Sequence, residues 1–176
     1  MPKHRALPDR SKRPLGAAKL DELALAYVAR FATSRAKLTR YLSRKVRESE
    51  WMDESDAMTA CEAIANRMEQ LRYLDDRQYA AMRAGAMTRR GLGVRRVKAQ
   101  LYVDGIAEQD SGEAIEAAEG AAVAAAVGFA RRRRFGPFAV RTSDDPKLRE
   151  RQIAAFLRAG HSMTIARRIL AVPPGD

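Results

Sequence analysis

One cysteine, two histidines and one tryptophan in 176 residues, with aromatics at only 6%, remove several chemistries at the outset. The lone thiol, Cys61, rules out a disulfide within the chain. In the run "AMTACEAIANRM" it falls at helical spacing among apolar residues, as a small core side chain does. His4, His161 and Cys61 are too few and too scattered for a closed zinc site or a Cys–His nucleophilic pair, so neither a metal nor a catalytic residue is expected. No Walker lysine motif occurs, which excludes a P-loop. Gly91-Leu92-Gly93-Val94-Arg95-Arg96 opens like a dinucleotide fingerprint, yet an arginine stands where the third glycine belongs and no strand pattern precedes it. The carboxylates lie on polar helical stretches beside many bases, with no apolar pocket to raise a pKa for acid–base work. The inventory predicts a protein with no cofactor and no enzymatic activity.

Long hydrophobic runs and strand patterns are missing too. The longest apolar stretch, Gly120 to Ala130, is far short of the ~20 residues that a bilayer span needs, and arginines close it. The N-terminus "MPKHRALPDRSKRPLG" has no apolar h-region, which together with the missing disulfide predicts a cytoplasmic protein with no membrane segment. β-branched residues are few, alanine is abundant, and no stretch alternates apolar and polar residues for long; the expected fold class is all-α.

What is present in excess is positive charge. The chain carries 33 Lys and Arg against 22 Asp and Glu, a formal net charge of +11. Its natural partners are polyanions, with nucleic acid ahead of an acidic protein and an anionic membrane third. With 46% hydrophobic residues it also has enough apolar material for a core.

Punctuation divides the chain into short helices. Residues 1–18 are basic, contain three prolines and are expected to be a flexible tail. Asp75 or Asp76 suits an N-cap for "RQYAAMRAGAMTRR", Gly91 the C′ position after it, and Gly93 the opening of the next helix. Asp110 and Glu113 have capping-box spacing. Asp145 precedes Pro146 at a helix start, and Gly160 stops that helix before Ser162 caps another. "RFGPFAVRTSDDP" is expected to be irregular, and Trp51 to sit in a short polar connection and anchor the third helix.

Three stretches share one skeleton without gaps: "ARFATSRAKLTRYL", "TRRGLGVRRVKAQL" and "LRAGHSMTIARRIL". Arg30, Arg89 and Arg158 are followed at steps of four by Ser34, Gly93 and Ser162, then Leu38, Val97 and Ala166, then Leu42, Leu101 and Leu170. The pattern is a helix, a three-residue turn and a second helix whose last two row positions face inward. Each pair needs a third helix to cover its apolar edge. The expectation is three tandem three-helix repeats, at 19–74, 75–118 and 119–172, forming an elongated, curved array.

"RYLDDRQYA", "TRRGLGVRRVKAQLYVDGI" and "KLRERQIAAFLRAGHSMTIARRIL" together resemble the RecX family of regulators of the RecA recombinase, over roughly Leu20 to Leu170. The middle stretch is the most specific, with its Tyr-Leu-Asp-Asp entry, the arginine before Gly-x-Gly and the Gly-Ile exit. The first copy departs from the pattern, with Ala32 where a turn glycine is usual and "RKV" where Lys-Gly ends the second helix. The resemblance implies an all-helical array of three such units without catalysis, which binds the RecA–DNA filament and restrains strand exchange and ATP hydrolysis in homologous recombination, DNA repair and the SOS response.

The residues that would carry such binding are cations on the second helices. With Leu38 and Leu42 inward, Lys37, Arg40, Arg44 and Arg47 fall on one outward side. No carboxylate partner is read four residues on, and the mutual repulsion of that face favours a binding role. Arg95, Arg96 and Lys98 lie off the Val94–Val97–Leu101 stripe, with Tyr102 close to Arg95; phosphate contact with base stacking and simple packing of Tyr102 both stand. Arg167 and Arg168 extend the surface. Arg30, Arg89 and Arg158 are expected to serve helix C-termini instead, and Arg131 to Arg134 read equally as a phosphate patch or a basic helix end. Acids are segregated in "ESEWMDESD" and "EQDSGEAIEAAE". The partners expected are the RecA filament and DNA, single- or double-stranded and without sequence preference, bound by a monomer. The competing reading is a helix-turn-helix DNA-binding protein, sequence-specific or architectural.

Overall fold

The computed structural model describes residues 12–141, 143 and 145–173. By internal contacts the chain divides into two compact units that meet between Leu74 and Asp75. The first contains strand β1 (Arg13–Leu15), helices α1 (Ala17–Arg30) and α2 (Arg35–Arg47), strand β2 (Ser49–Trp51) and helix α3 (Ala57–Gln70). Its core follows from helical spacing: Leu20 and Ala24 on α1, Leu38 and Leu42 on α2, and Cys61, Ile64 and Met68 on α3 close one buried cluster. Ser34 caps α2 by accepting from the Lys37 amide, and Asp56 caps α3 by accepting from that of Thr59.

The described residues are mostly helical, as expected, with one addition: a short parallel pair in which Arg13, Pro14 and Leu15 face Ser49, Glu50 and Trp51. The flexible tail expected over 1–18 is corrected for its last part; residues 1–11 lie outside the described residues. Leu15 is buried in the first core, and the Asp53 carboxylate accepts from the Ala17 amide at 2.5 Å, so the acid sits at the open N-terminus of α1. Pro14, lacking an amide hydrogen, is tolerated because this two-stranded sheet is all edge. Trp51 packs against the same cluster and donates from Nε1 to the Ser55 carbonyl at 2.7 Å, which ties down the connection into α3.

The second unit contains α4 (Asp76–Arg89), α5 (Val94–Val103), α6 (Glu108–Gly120), α7 (Ala122–Arg133), a 3₁₀ turn at Gly136–Phe138, α8 (Pro146–Arg158) and α9 (Met163–Leu170). One buried cluster joins α4, α5 and α6 through Ala80, Ala84, Val97, Leu101, Ala114 and Ala118. A second joins α7, α8 and α9 through Ala126, Ala130, Phe156, Ala166 and Leu170. Small residues on α4 and α6 let those helices approach closely, and one charged group is buried beside them. Asp104 accepts from Tyr79 Oη at 2.9 Å and Gln100 Nε2 at 3.0 Å, with Arg83 Nε 3.4 Å away; the carboxylate is therefore satisfied rather than orphaned.

The capping box expected at Asp110 and Glu113 does not form. α6 begins earlier, with Ala107 at its N-cap, and Glu108 and Asp110 both lie in its first turn, where carboxylates suit the helix dipole. α6 also continues past the 118/119 boundary. The irregular segment after α7 is anchored, since Phe135 and Phe138 pack against the third cluster.

Candidate polyanion-binding surfaces

In the first unit, α2 carries Arg40, Arg44 and Arg47 exposed and Lys37 half-buried. The expectation that no carboxylate stands four residues on is corrected at Glu48, the C-cap residue. It lies 3.7 Å from Arg44 Nε and 3.3 Å from Lys45 Nζ. Both pairs are exposed, so they hold the side chains loosely in water. Arg44 also lies over the Tyr41 ring, itself stacked on Tyr27 with centroids 4.3 Å apart.

In the second unit, Arg95, Arg96 and Lys98 on α5 are exposed, and Tyr102 is 84% exposed, so little of its ring is covered. Lys98 is paired with Glu119 at 2.8 Å. The start of α5 is fixed from outside the helix. Gly93 has no side chain to cap it; instead its amide donates to the Ala159 carbonyl at 2.8 Å, and the Arg95 amide to the Gly160 carbonyl at 3.2 Å. Carbonyls of the α8–α9 turn thus take up two of the first amides of α5, whereas at α2 and, through Ser162, at α9 a serine accepts from the amide three residues on. A Cβ on Gly93 would overlap the Gly160 carbonyl, and one on Gly160 would overlap Arg96.

His161 closes this junction. It is buried against the rings of Phe129 and Phe156, and its Nε2 lies 3.0 Å from the Gly91 carbonyl. Burial holds the imidazole below its ordinary pKa against the opposing effect of that hydrogen bond. The ring is then neutral with Nε2 as the donor, and among the described residues Nδ1 has no hydrogen-bond partner. The glycines and the histidine were visible as turn residues in sequence, but nothing local signalled that two turns seventy residues apart would touch.

Arg167 and Arg168 are exposed in the last turn of α9. Arg30, Arg89 and Arg158 occupy the last turns of α1, α4 and α8, where a cation meets the unpaired carbonyls. The structure therefore brings Arg95 and Arg96 against the α8–α9 turn, while the α2 cations stand in the other unit. Among the described residues there is no cluster of three or more His, Cys, Asp or Glu that could hold a metal ion, and no helix is long and apolar enough to cross a membrane.

Taken together these features define a small helical protein that displays exposed cations on the second helices of helix–turn–helix pairs. No protein-family model matches the sequence. It is 28% identical to the regulatory protein RecX of Myxococcus xanthus (strain DK1622) over 186 aligned residues, covering 99% of this chain and 100% of that one. It is also 32% identical to RecX of Agrobacterium fabrum (strain C58) over 102 residues, or 58% of this chain and 54% of the relative. A crystal structure of RecX from Lactobacillus salivarius superimposes with a TM-score of 0.65 over 88% of this chain and 94% of that one, at 19% identity. Another crystal structure of regulatory protein RecX gives 0.63 over 87% of this chain and 70% of that one, also at 19% identity. The chain is thus similar to RecX proteins in sequence over its whole length and in fold.

Proposed function

We propose that this chain is a non-enzymatic regulator of the RecA recombinase: it binds the RecA–DNA filament and inhibits strand exchange and ATP hydrolysis in recombination and repair. The observation that carries this reading is the recurrence of exposed arginines on α2, α5 and α9, three helices that occupy the same place in the repeated skeleton. Arg40, Arg44, Arg47 and the half-buried Lys37 serve the first surface; Arg95, Arg96, Lys98 and Tyr102 the second; Arg167 and Arg168 the third. Three apolar clusters, each drawn from three successive helices, support an arrangement in three tandem units. The protein acts in the cytoplasm as a monomer and contacts DNA through its phosphates, without reading sequence.

The test adds the protein substoichiometrically to RecA-driven strand exchange and ATP hydrolysis. Inhibition is expected; no effect on a filament verified as active overturns the reading. Lys37→Ala, Arg40→Ala and Arg44→Ala together should raise the concentration needed for inhibition about tenfold, the scale expected when a few phosphate contacts are lost. Tm should shift by no more than a few degrees, because the Arg44–Glu48 pair is exposed. Marked preference for one duplex sequence would point instead to a helix-turn-helix reader.

A further inference from the structure

Six arginines that neither second helix carries stand at two helix ends that touch in the second unit. Arg89 and Arg90 end α4, and Arg131 to Arg134 end α7 forty residues later; all are exposed. The two ends are joined by backbone contact. The Arg132 guanidinium donates to the Arg90 carbonyl, and a Cβ on Gly91 would come within 3.0 Å of the Ala125 carbonyl and the Phe129 amide of α7. Gly91 has φ +72, so it makes the left-handed turn and leaves room for α7 at once.

Among the described residues none of the six forms an ion pair. The carboxylates of this unit that form ion pairs, Glu113, Asp104, Glu119 and Asp145, hold Arg77, Arg83, Lys98 and Arg151 instead. Aromatic rings do the positioning. Arg131 lies over Phe138 at 5.0 Å from its centroid and Arg133 over Phe129 at 5.9 Å, and both rings are packed on the third apolar cluster. A guanidinium held over an aromatic ring has less motional freedom to lose on binding an anion. If these arginines served only to neutralise helix dipoles, the last turn of α7 would need fewer of them, and none would need an aromatic shelf.

We infer that Arg90, Arg131 and Arg133 form a second nucleic-acid site, distinct from α5, that grips the phosphodiester backbone. Consecutive helical residues are turned 100° from one another, so Arg131 to Arg133 fan around the helix end. That spread matches a polymer with a charge every few ångströms better than the carboxylates of an acidic peptide. The site rests on the reading that the chain binds DNA.

The experiment measures affinity for an unstructured oligonucleotide and for a duplex across a salt series. Arg90→Ala, Arg131→Ala and Arg133→Ala together should lower affinity about tenfold or more near physiological salt and flatten the log–log slope by about two to three, at ~0.7–0.9 per lost phosphate contact. The same three positions changed to Lys should keep the slope but bind several-fold more weakly, because the planar five-donor fork is lost. Should the alanine variant fail to fold, the lysine variant and slowed amide exchange across Phe129–Phe138 of the parent on adding DNA carry the test. An unchanged slope in a folded alanine variant overturns this site alone. A parent that binds no DNA at all overturns the DNA contacts of the proposed function as well. Loss of polyglutamate binding with DNA binding intact would assign the cluster to an acidic protein and overturn the inference.

Discussion

The turns that open α2 and α5 hold the same place in the repeated skeleton and solve the same problem differently. At α2 the turn is closed by its own residues: Ser34, fully buried, accepts from the Lys37 amide. At α5 a serine has no room. Gly93 is pressed against the α8–α9 turn, whose Ala159 and Gly160 carbonyls accept from the amides of Gly93 and Arg95. A serine in this family of turns therefore marks one that caps itself, and a glycine marks one that is capped by a neighbour. The glycines of "GLG" divide the labour: Gly91 supplies a positive φ, whereas Gly93, which is not among the positive-φ residues, supplies only the missing Cβ.

The largest effect should come from forcing one solution onto the other. Gly93→Ser would install the cap that α2 and α9 use, yet its Cβ would fall on backbone atoms of Gly160 and His161 that cannot move like a side chain. Overpacking of this kind costs about 3 kcal/mol, so Tm by circular dichroism should fall by roughly 10 °C or more. A Tm equal to or above that of the parent would show that the helix start tolerates a side chain and that the two turns are alike.

Next in size is the pH response of the packed turn. The buried His161 has a folded pKa depressed below the ~6.5 of an unfolded chain. Above that value both states are neutral and its contribution to stability is complete. As pH falls below it, the unfolded chain takes a proton that the folded ring resists, so stability is lost until pH passes the folded pKa. Thermal unfolding from pH 7.5 to 5 should therefore show a steeper decline for the parent than for His161→Gln, whose amide can still donate to the Gly91 carbonyl. Parallel curves would place the imidazole in water.

What sequence disclosed about these turns was local. The N-caps at Asp75, Asp145 and Ser162, the C′ glycine at 91 and the inward pairs Leu38–Leu42 and Val97–Leu101 each depend on neighbours a few residues away, and spacing and residue type suffice to find them. Hidden features required partners far along the chain. β1 looked like tail because Pro14 and its basic neighbours dominate the composition; what orders it are Trp51 and Asp53. Glu48 was overlooked as a partner for Arg44 because it stands just past the helix, although four residues separate them. Arg90 and Arg132 are each unremarkable alone. Only the approach of α7 to the end of α4, which leaves no trace in either segment, brings them together.

The smallest effect gives the finest test of the difference between the turns. Ala32 occupies the row position of Gly91 and Gly160, which have φ of +72 and +93. If the first turn had the same backbone, Ala32 would be strained and glycine there would stabilise the protein. Among the described residues, however, the only non-glycine residues with positive φ are Arg72 and Arg134. α1 ends instead with Phe31 extended at φ −129 and ψ 125. Ala32 thus sits in a conformation that an ordinary residue adopts freely, and replacing it only widens the freedom of the unfolded chain. Ala32→Gly should then destabilise by about 0.5–1 kcal/mol, read as a lower denaturant midpoint with an unchanged slope. A rise in the midpoint would mean that the first turn shares the left-handed geometry of the others, and that serine and glycine mark no difference between them.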